Sequence, residues 1–187
     1  MQISVNLSVS QFRNQSICAS VHAALSKSEL DPKRLILEVT ESLFLTDAEF
    51  NMAQIRELKE FGLAIAMDDF GTGYSSLSYM LKYPFDILKI DRAFVSALTT
   101  ENDMARTMVE TIITLGHTMN MKVTAEGVEN ESQALVLQAL RCDDVQGYLF
   151  GKPVASSDIS SVILNNFNQM HQGRQKIVDD ARKTAEH

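Results

Sequence analysis

Six short apolar runs in this sequence each carry an amide, a carboxylate or an amine, inside the run or at its C-terminal end. Asn6 sits in VNLS, and Glu38 in LEVTES with Glu41 following. Asp68 and Asp69 end the third run, and Lys89 interrupts ILKID ahead of Asp91. Glu126 ends the fifth run in AEGVE, with Glu129 after it, and Gln146 lies in the sixth, before Gly147. Burying one carboxylate without a partner is costly, and burying several side by side is worse. A cation is the simplest remedy. Oxygen ligands from Asn, Asp and Glu, with no His or Cys among them, suit a hard ion such as Mg²⁺ or Mn²⁺. The histidines, His22, His117, His171 and His187, fall on expected helices or in the tail, which is not zinc spacing.

If Asp68 and Asp69 both point into one rim, they reach two metal ions. Such a pair activates a water and stabilises the leaving oxygen of a phosphodiester. Lys89 would then orient or polarise that water, or balance negative charge. Each residue singly also has a plainer use. Glu41, Asp91 and Glu129 read equally well as helix caps or ion-pair partners. The loop Phe70-Gly71-Thr72-Gly73-Tyr74 lacks the GxxxxGK[ST] and GxGxxG patterns and reads, by spacing, as a tight turn into a helix. The methionines suit core filling, and Cys142 reads as a small buried residue and not a nucleophile.

The elements that must position these residues alternate regularly. The apolar runs are residues 3–7 (ISVNL), 35–39 (LILEV), 63–67 (LAIAM), 85–90 (FDILKI), 122–125 (KVTA) and 145–150 (VQGYLF). Their length and their Ile, Leu and Val content suit strands buried on both faces, as in a parallel sheet. Helical stretches separate them. Ile17, Val21, Ala24 and Leu25 mark the first. Thr46-Asp47-Ala48-Glu49 reads as a capping box with Thr46 as N-cap, ahead of the face Ala48, Met52, Ile55 and Leu58. A shorter helix is expected over residues 75–81. Ala105, Met108, Val109, Ile112, Gly116 and Met119 form another stripe. Asn130 starts a helix with Gln133 three residues on, and Ser157 starts the last, whose stripe includes Ile159, Val162 and Ile163. Six strand-helix units imply an α/β domain with a parallel sheet, either open and doubly wound or most of an eight-unit barrel. In both, the C-terminal strand ends share one rim, where sites are built.

Composition removes other classes. The chain has 187 residues, 45% hydrophobic, with Lys+Arg 17 against Asp+Glu 24 and a formal net charge of −7. No apolar run approaches the ~18 residues of a membrane span. The first residues, MQISVNLSVS, lack the basic start and apolar stretch of a signal peptide. Two cysteines make no disulfide scaffold and no CxxC pair. The acidic balance disfavours long nucleic acid, but not a small phosphate ligand brought in with metal ions. A cytoplasmic location is expected.

The strings VNLS at 5–8, LEVTES at 37–42, DDFGTGYSSLSYM at 68–80, LKID at 88–91, AEGVE at 125–129 and DVQGYLFGKP at 144–153 resemble the EAL domain family. These are bacterial phosphodiesterases that linearise cyclic di-GMP. The motifs stand in the family's order. The resemblance implies a (β/α)₈ TIM-like barrel of the EAL type, incomplete here at about six of eight strand-helix units. The expected partial barrel covers residues 1–170, with a polar tail or surface helix over 171–187. By resemblance, Asn6, Glu38 and Asp68 are metal ligands, and Asp69 belongs to or is shared with a second metal. Lys89 corresponds to the catalytic lysine near the attacking water, and Glu126 to the carboxylate assisting at the metal-bound water. Gln146 is a polar residue of the same site, and Glu129 a supporting or substrate-side acid. Glu41 resembles the glutamate that holds the loop after the paired aspartates, which places residues 70–76 (with Gly71, Thr72, Gly73 and Tyr74) in substrate gating and dimer contacts.

The family's Glu-Ala-Leu motif, on its first strand, is not in this sequence; Met1 falls at what would be the third strand. That glutamate is a metal ligand, so the resemblance implies a site one ligand short in this chain, and open strand edges that favour a homo-oligomer. Two readings follow: a Mg²⁺- or Mn²⁺-dependent hydrolase giving linear pGpG, or an inactive EAL-like module that binds cyclic di-GMP or a protein. A third, an enolase-like Mg²⁺ barrel with a lysine base, fits the carboxylates and lysine but not the specific DDFGTGYSSL and AEGVE strings.

Overall fold

The computed structural model describes residues 2–12, 17–45, 47–71, 81–98 and 103–164. The chain divides into two compact units, Met1–Phe150 and Gly151–His187. In the first unit six strands form one sheet in sequence order: β1 (Ile3–Leu7), β2 (Leu35–Thr40), β3 (Ala64–Phe70), β4 (Ile87–Ile90), β5 (Lys122–Glu126) and β6 (Asp144–Gln146). Every neighbouring pair is parallel. Residues of β1 (Ser4) and of β6 (Asp144 and Gln146) line one cavity of about 300 Å³ together with residues of the strands between them. The sheet therefore curls around its own concave face, as an incomplete barrel.

The described helices are α1 (Val9–Phe12), α2 (Ile17–Ser28), α3 (Ala48–Glu60), α4 (Arg92–Ser96), α5 (Asp103–Thr118) and α6 (Glu131–Ala139). Alternate strand residues pack with the helix stripes. Val39, Ile65, Met67, Leu88, Ile90, Val123 and Ala125 are buried in one cluster with Val21, Ile55, Leu58, Val109 and Ile112. The other residues of each strand face the concave side; apart from Ile36 and Ile87 they are small or polar, among them Ser4, Glu38, Ala66, Lys89, Thr124 and Gln146. This strict period of two fixes which side chains can meet inside the curl.

Local differences from the sequence reading have simple causes. The run at 145–150 gives a strand of only three residues, because Gly147 onward turns back onto the segment after β5. Ile3 and Val5 are exposed, because β1 has a strand neighbour on one side only among the described residues. Helix α3 starts at Ala48 with Asp47 at the N-cap in a left-handed conformation and without a side-chain capping bond. Glu49 is then the second helical residue, one short of the capping-box position, and Thr46 lies outside the described residues. The Asn130–Gln133 capping box on α6 forms as expected. The expected helix over 75–81 and the boundary at 170 with its tail lie largely or wholly outside the described residues. In the second unit a 3₁₀ turn over Ser156–Asp158 leads into helical residues 159–164, so Ser157 stands in the turn before the helix.

Candidate active site at the carboxyl ends of the strands

Strand β3 is irregular where the chemistry begins. Its pairing with β4 runs Ala66 with Ile87 and Met67 with Leu88, then skips to Phe70 with Ile90. Three residues on β3 span two on β4, which is a β-bulge. Asp69 takes the extra position with φ at 55°, in the left-handed region. In a regular strand Asp68 and Asp69 would point to opposite faces. The bulge breaks that alternation at the pair. Asp68 is buried and in register with Thr40 on β2, and its Oδ1 accepts the Asp69 backbone N–H at 3.0 Å.

Lys89 is the centre of the site. It rises from β4 into the curl, and its side chain is 4% exposed. Its Nζ lies 2.5 Å from Glu38 Oε2 on β2, 3.1 Å from Asp68 Oδ1 on β3 and 2.5 Å from Glu126 Oε1 on β5. Oxygens of these three carboxylates lie within 4.8 Å of one another. Four adjacent strands thus each send one ionisable side chain to a single point. Burial alone would lower the Lys89 pKa, but the hydrogen bonds to Glu126 and Glu38 and the charges of Glu126 and Asp68 outweigh it and raise the value. The Glu126 pKa is raised as well, which for a carboxyl favours the neutral form. Burial raises its pKa, the nearby charges of Asp68 and Glu38 add to the rise, and Lys89 only partly offsets them. Asp69 is also raised, by burial first, then by the charges of Asp68 and Asp91, and by a hydrogen bond with the Asp91 carboxyl.

The remaining expected residues group around this centre. Asn6 is exposed and sits in register beside Glu38, and Gln146 is in register beside Glu126. Asp91 caps α4, accepting the Ala93 N–H at 2.8 Å, and it also faces Asp69. Its carboxyl thus caps α4 and at the same time lies against Asp69. Glu129 stands apart from the carboxylate cluster and pairs with Arg92 at 2.5 Å. Glu41 begins a 3₁₀ turn after β2, is 5% exposed, and neither of its carboxylate oxygens has a partner among the described residues. Gly71 follows β3 with φ at 94°. Thr72, Gly73 and Tyr74 lie outside the described residues.

Two residues here were not singled out for the site from sequence. Arg92 directly follows LKID, and its stem covers Gly127. Gln133 was expected only as a cap. Its Oε1 accepts the Glu129 N–H at 2.9 Å while its Nε2 donates to the Val95 carbonyl at 3.3 Å, tying α6 to α4. The only sequence signal for either was its position one or a few residues beyond a strand-end carboxylate.

The family model for the EAL domain matches residues 1–153. The chain belongs to the EAL domain family. Over 157 residues it is 44% identical to the bifunctional diguanylate cyclase/cyclic di-GMP phosphodiesterase MucR of Pseudomonas aeruginosa, covering 84% of this chain and 23% of that protein. It is 36% identical to the cyclic di-GMP phosphodiesterase NbdA of the same organism, covering 82% of this chain and 20% of that one. The chain thus spans about a fifth to a quarter of the length of these relatives. Among solved structures, the MucR phosphodiesterase in complex with cyclic di-GMP superposes with a TM-score of 0.78 at 43% identity, over 84% of this chain and 70% of that one. BlrP1 of Klebsiella pneumoniae, in a complex with manganese and cyclic di-GMP, gives 0.73 at 27% identity, over 81% and 39%. The parallel sheet found here is therefore an EAL barrel in part, with the expected fold class.

Proposed function

We propose that this chain supplies the catalytic rim of a divalent-metal-dependent phosphodiesterase that opens cyclic di-GMP to linear pGpG. The observation that carries this reading is the convergence of Glu38, Asp68 and Glu126 on Lys89 at the strand ends. Its support from outside the chain is the company it keeps, relatives named as cyclic di-GMP phosphodiesterases.

The donor set fits a metal. Three carboxylates face one ammonium, so the cluster keeps a net negative charge, and every donor is an oxygen. That chemistry suits Mg²⁺ or Mn²⁺. Asn6, Glu38 and Asp68 would hold one ion, and Asp69, with Asp68, a second. When bound, such ions make an attacking water more acidic and neutralise phosphate charge. Lys89 remains protonated at neutral pH, so it does not act as a base. It gathers the three carboxylates and donates a hydrogen bond toward the water. Glu126, hydrogen-bonded to Lys89 at the cluster, would take a proton from the water. The water oxygen bonds to phosphorus, the bond from phosphorus to O3′ breaks, and O3′ takes a proton from solvent while Glu126 returns its own. Gln146, beside Glu126, offers an amide to the same water or to the phosphate.

The test is chromatography of cyclic di-GMP incubated with the chain and Mn²⁺. The linear dinucleotide is expected, and Asp68→Asn or Lys89→Ala should abolish it. Turnover that survives both substitutions overturns the assignment. Tight binding without turnover in the wild type would make the chain a binding module. We further place a second copy of the chain against the edges of β1 and β6, each with one strand neighbour among the described residues. The two free cysteines suit the reducing bacterial cytoplasm as the setting. No helix among the described residues is long and apolar enough to cross a membrane.

A further inference from the structure

Glu126 is followed by a turn over residues 127–129 that is gripped from two sides. On one side, Gly127 has φ at 71°, and the Arg92 side chain lies directly over it. A Cβ at Gly127 would collide with Arg92 Cγ and would stand 2.8 Å from its Cβ and 2.9 Å from its Cδ. The Arg92 guanidinium then continues to Glu129, with Nη2 2.5 Å from Oε1. On the other side, the Val128 N–H donates to the Gln146 carbonyl at 3.0 Å, and the Leu149 N–H to the Val128 carbonyl at 3.0 Å. A Cβ at Gly147 would collide with the Val128 backbone. The turn after β5 is thus held between the start of α4 and the end of β6. Gln133 fixes its far end at the Glu129 N–H.

We propose that Arg92 is a positioning residue for Glu126. Its stem packs on Gly127 and its guanidinium holds Glu129, and together they keep the left-handed turn that presents Glu126 to Lys89. This rests on the reading of Glu126 as part of a metal-dependent site. The ion pair itself is exposed, with the Arg92 side chain 61% accessible, so its charge attraction contributes little to global stability. Its effect is local and geometric. A lysine at 92 keeps both the aliphatic stem and a cation, whereas alanine keeps neither.

Hydrogen exchange and Mn²⁺ calorimetry on the full 187-residue chain test this. Arg92→Ala should raise exchange at the Val128 and Glu129 amides at least about fivefold, while amides of α5 stay unchanged. It should also weaken Mn²⁺ binding, by up to about tenfold, because Glu126 is one of the three carboxylates whose charge draws the ion to the cluster. Arg92→Lys should restore most of both, and Glu129→Gln should reproduce the exchange effect without touching the stem. Unchanged exchange at Val128 and Glu129 in Arg92→Ala overturns the inference, whatever the metal does. A wild-type chain that binds no Mn²⁺ overturns the metal-site reading instead, and the exchange arm still decides the role of Arg92.

Discussion

Replacing Lys89 by methionine removes the cation that three carboxylates share, two of them buried, and keeps the volume of the stem. The wild-type cluster carries three carboxylates and one ammonium; the variant carries three carboxylates alone. Breaking a buried ion pair by deleting one partner typically costs about 3–5 kcal/mol, because the other charge stays buried and uncompensated. Lys89 and Glu38 are both buried, while Glu126 is partly open to solvent and relaxes more easily. The expected loss in metal-free buffer with chelator is therefore about 3 kcal/mol, the low end of that range. A divalent ion should recover much of it, because it replaces the missing positive charge. Binding at a concentration 100 times Kd adds about 2.7 kcal/mol. Urea denaturation with and without Mn²⁺ measures both effects. Glu126→Gln serves as a control that folds more readily: it removes one negative charge, so it should cost little without metal and blunt the Mn²⁺ effect. If Lys89→Met loses under about 1 kcal/mol with chelator, or gains nothing from Mn²⁺, the three carboxylates do not share Lys89 as their common cation.

Other consequences are checkable in parallel. Glu126 and Asp69 bind protons more tightly when folded than unfolded, so they favour the fold at low pH and lose that contribution as pH rises through their raised pKa values. Asp143 is lowered: burial opposes, but its bonds from the Val123 N–H and His117 prevail, and its contribution is lost only as pH falls below the ordinary aspartate range. Metal-free thermal stability should therefore rise from neutral pH toward the upper edge of the carboxylate range and fall below it; a monotonic fall from neutrality would contradict the raised values. Gly147→Ala should lower stability by about 1–3 kcal/mol in urea melts, because its Cβ meets rigid backbone at Val128. Light scattering should show a concentration-dependent oligomer, and a well-folded monomer at all concentrations would count against pairing at the β1 and β6 edges.

The number of strands and the polar residues at their ends were legible in the sequence because both follow from short-range pattern, whereas the pattern leaves the strand order open between a doubly wound sheet and a barrel. A buried parallel strand declares itself by its run of Ile, Leu and Val, and a polar residue at its end stands out against that run. Hence Glu38, Asp68, Lys89 and Glu126 could be named together before any coordinate. Other features depend on contacts distant in sequence. Nothing in Asp68-Asp69 announces a bulge, since the extra residue is counted only against β4. The grip of Arg92 on Gly127 joins the first residue of α4 to a turn 35 residues later, and a glycine needed for a passing side chain looks like any other turn glycine. Asp91 illustrates a third case. Its position in sequence admits a cap or a rim acid, and in the fold the capping carboxyl also lies against Asp69.

The central claim is that water, activated at the cluster around Lys89, attacks a phosphodiester of cyclic di-GMP. Turnover in ¹⁸O-labelled water with Mn²⁺, read by mass spectrometry, addresses it directly. Linear pGpG should carry one solvent oxygen on its terminal phosphate, and none should form in Asp68→Asn. Linear product without the label, or labelled product that persists in Asp68→Asn, would contradict it.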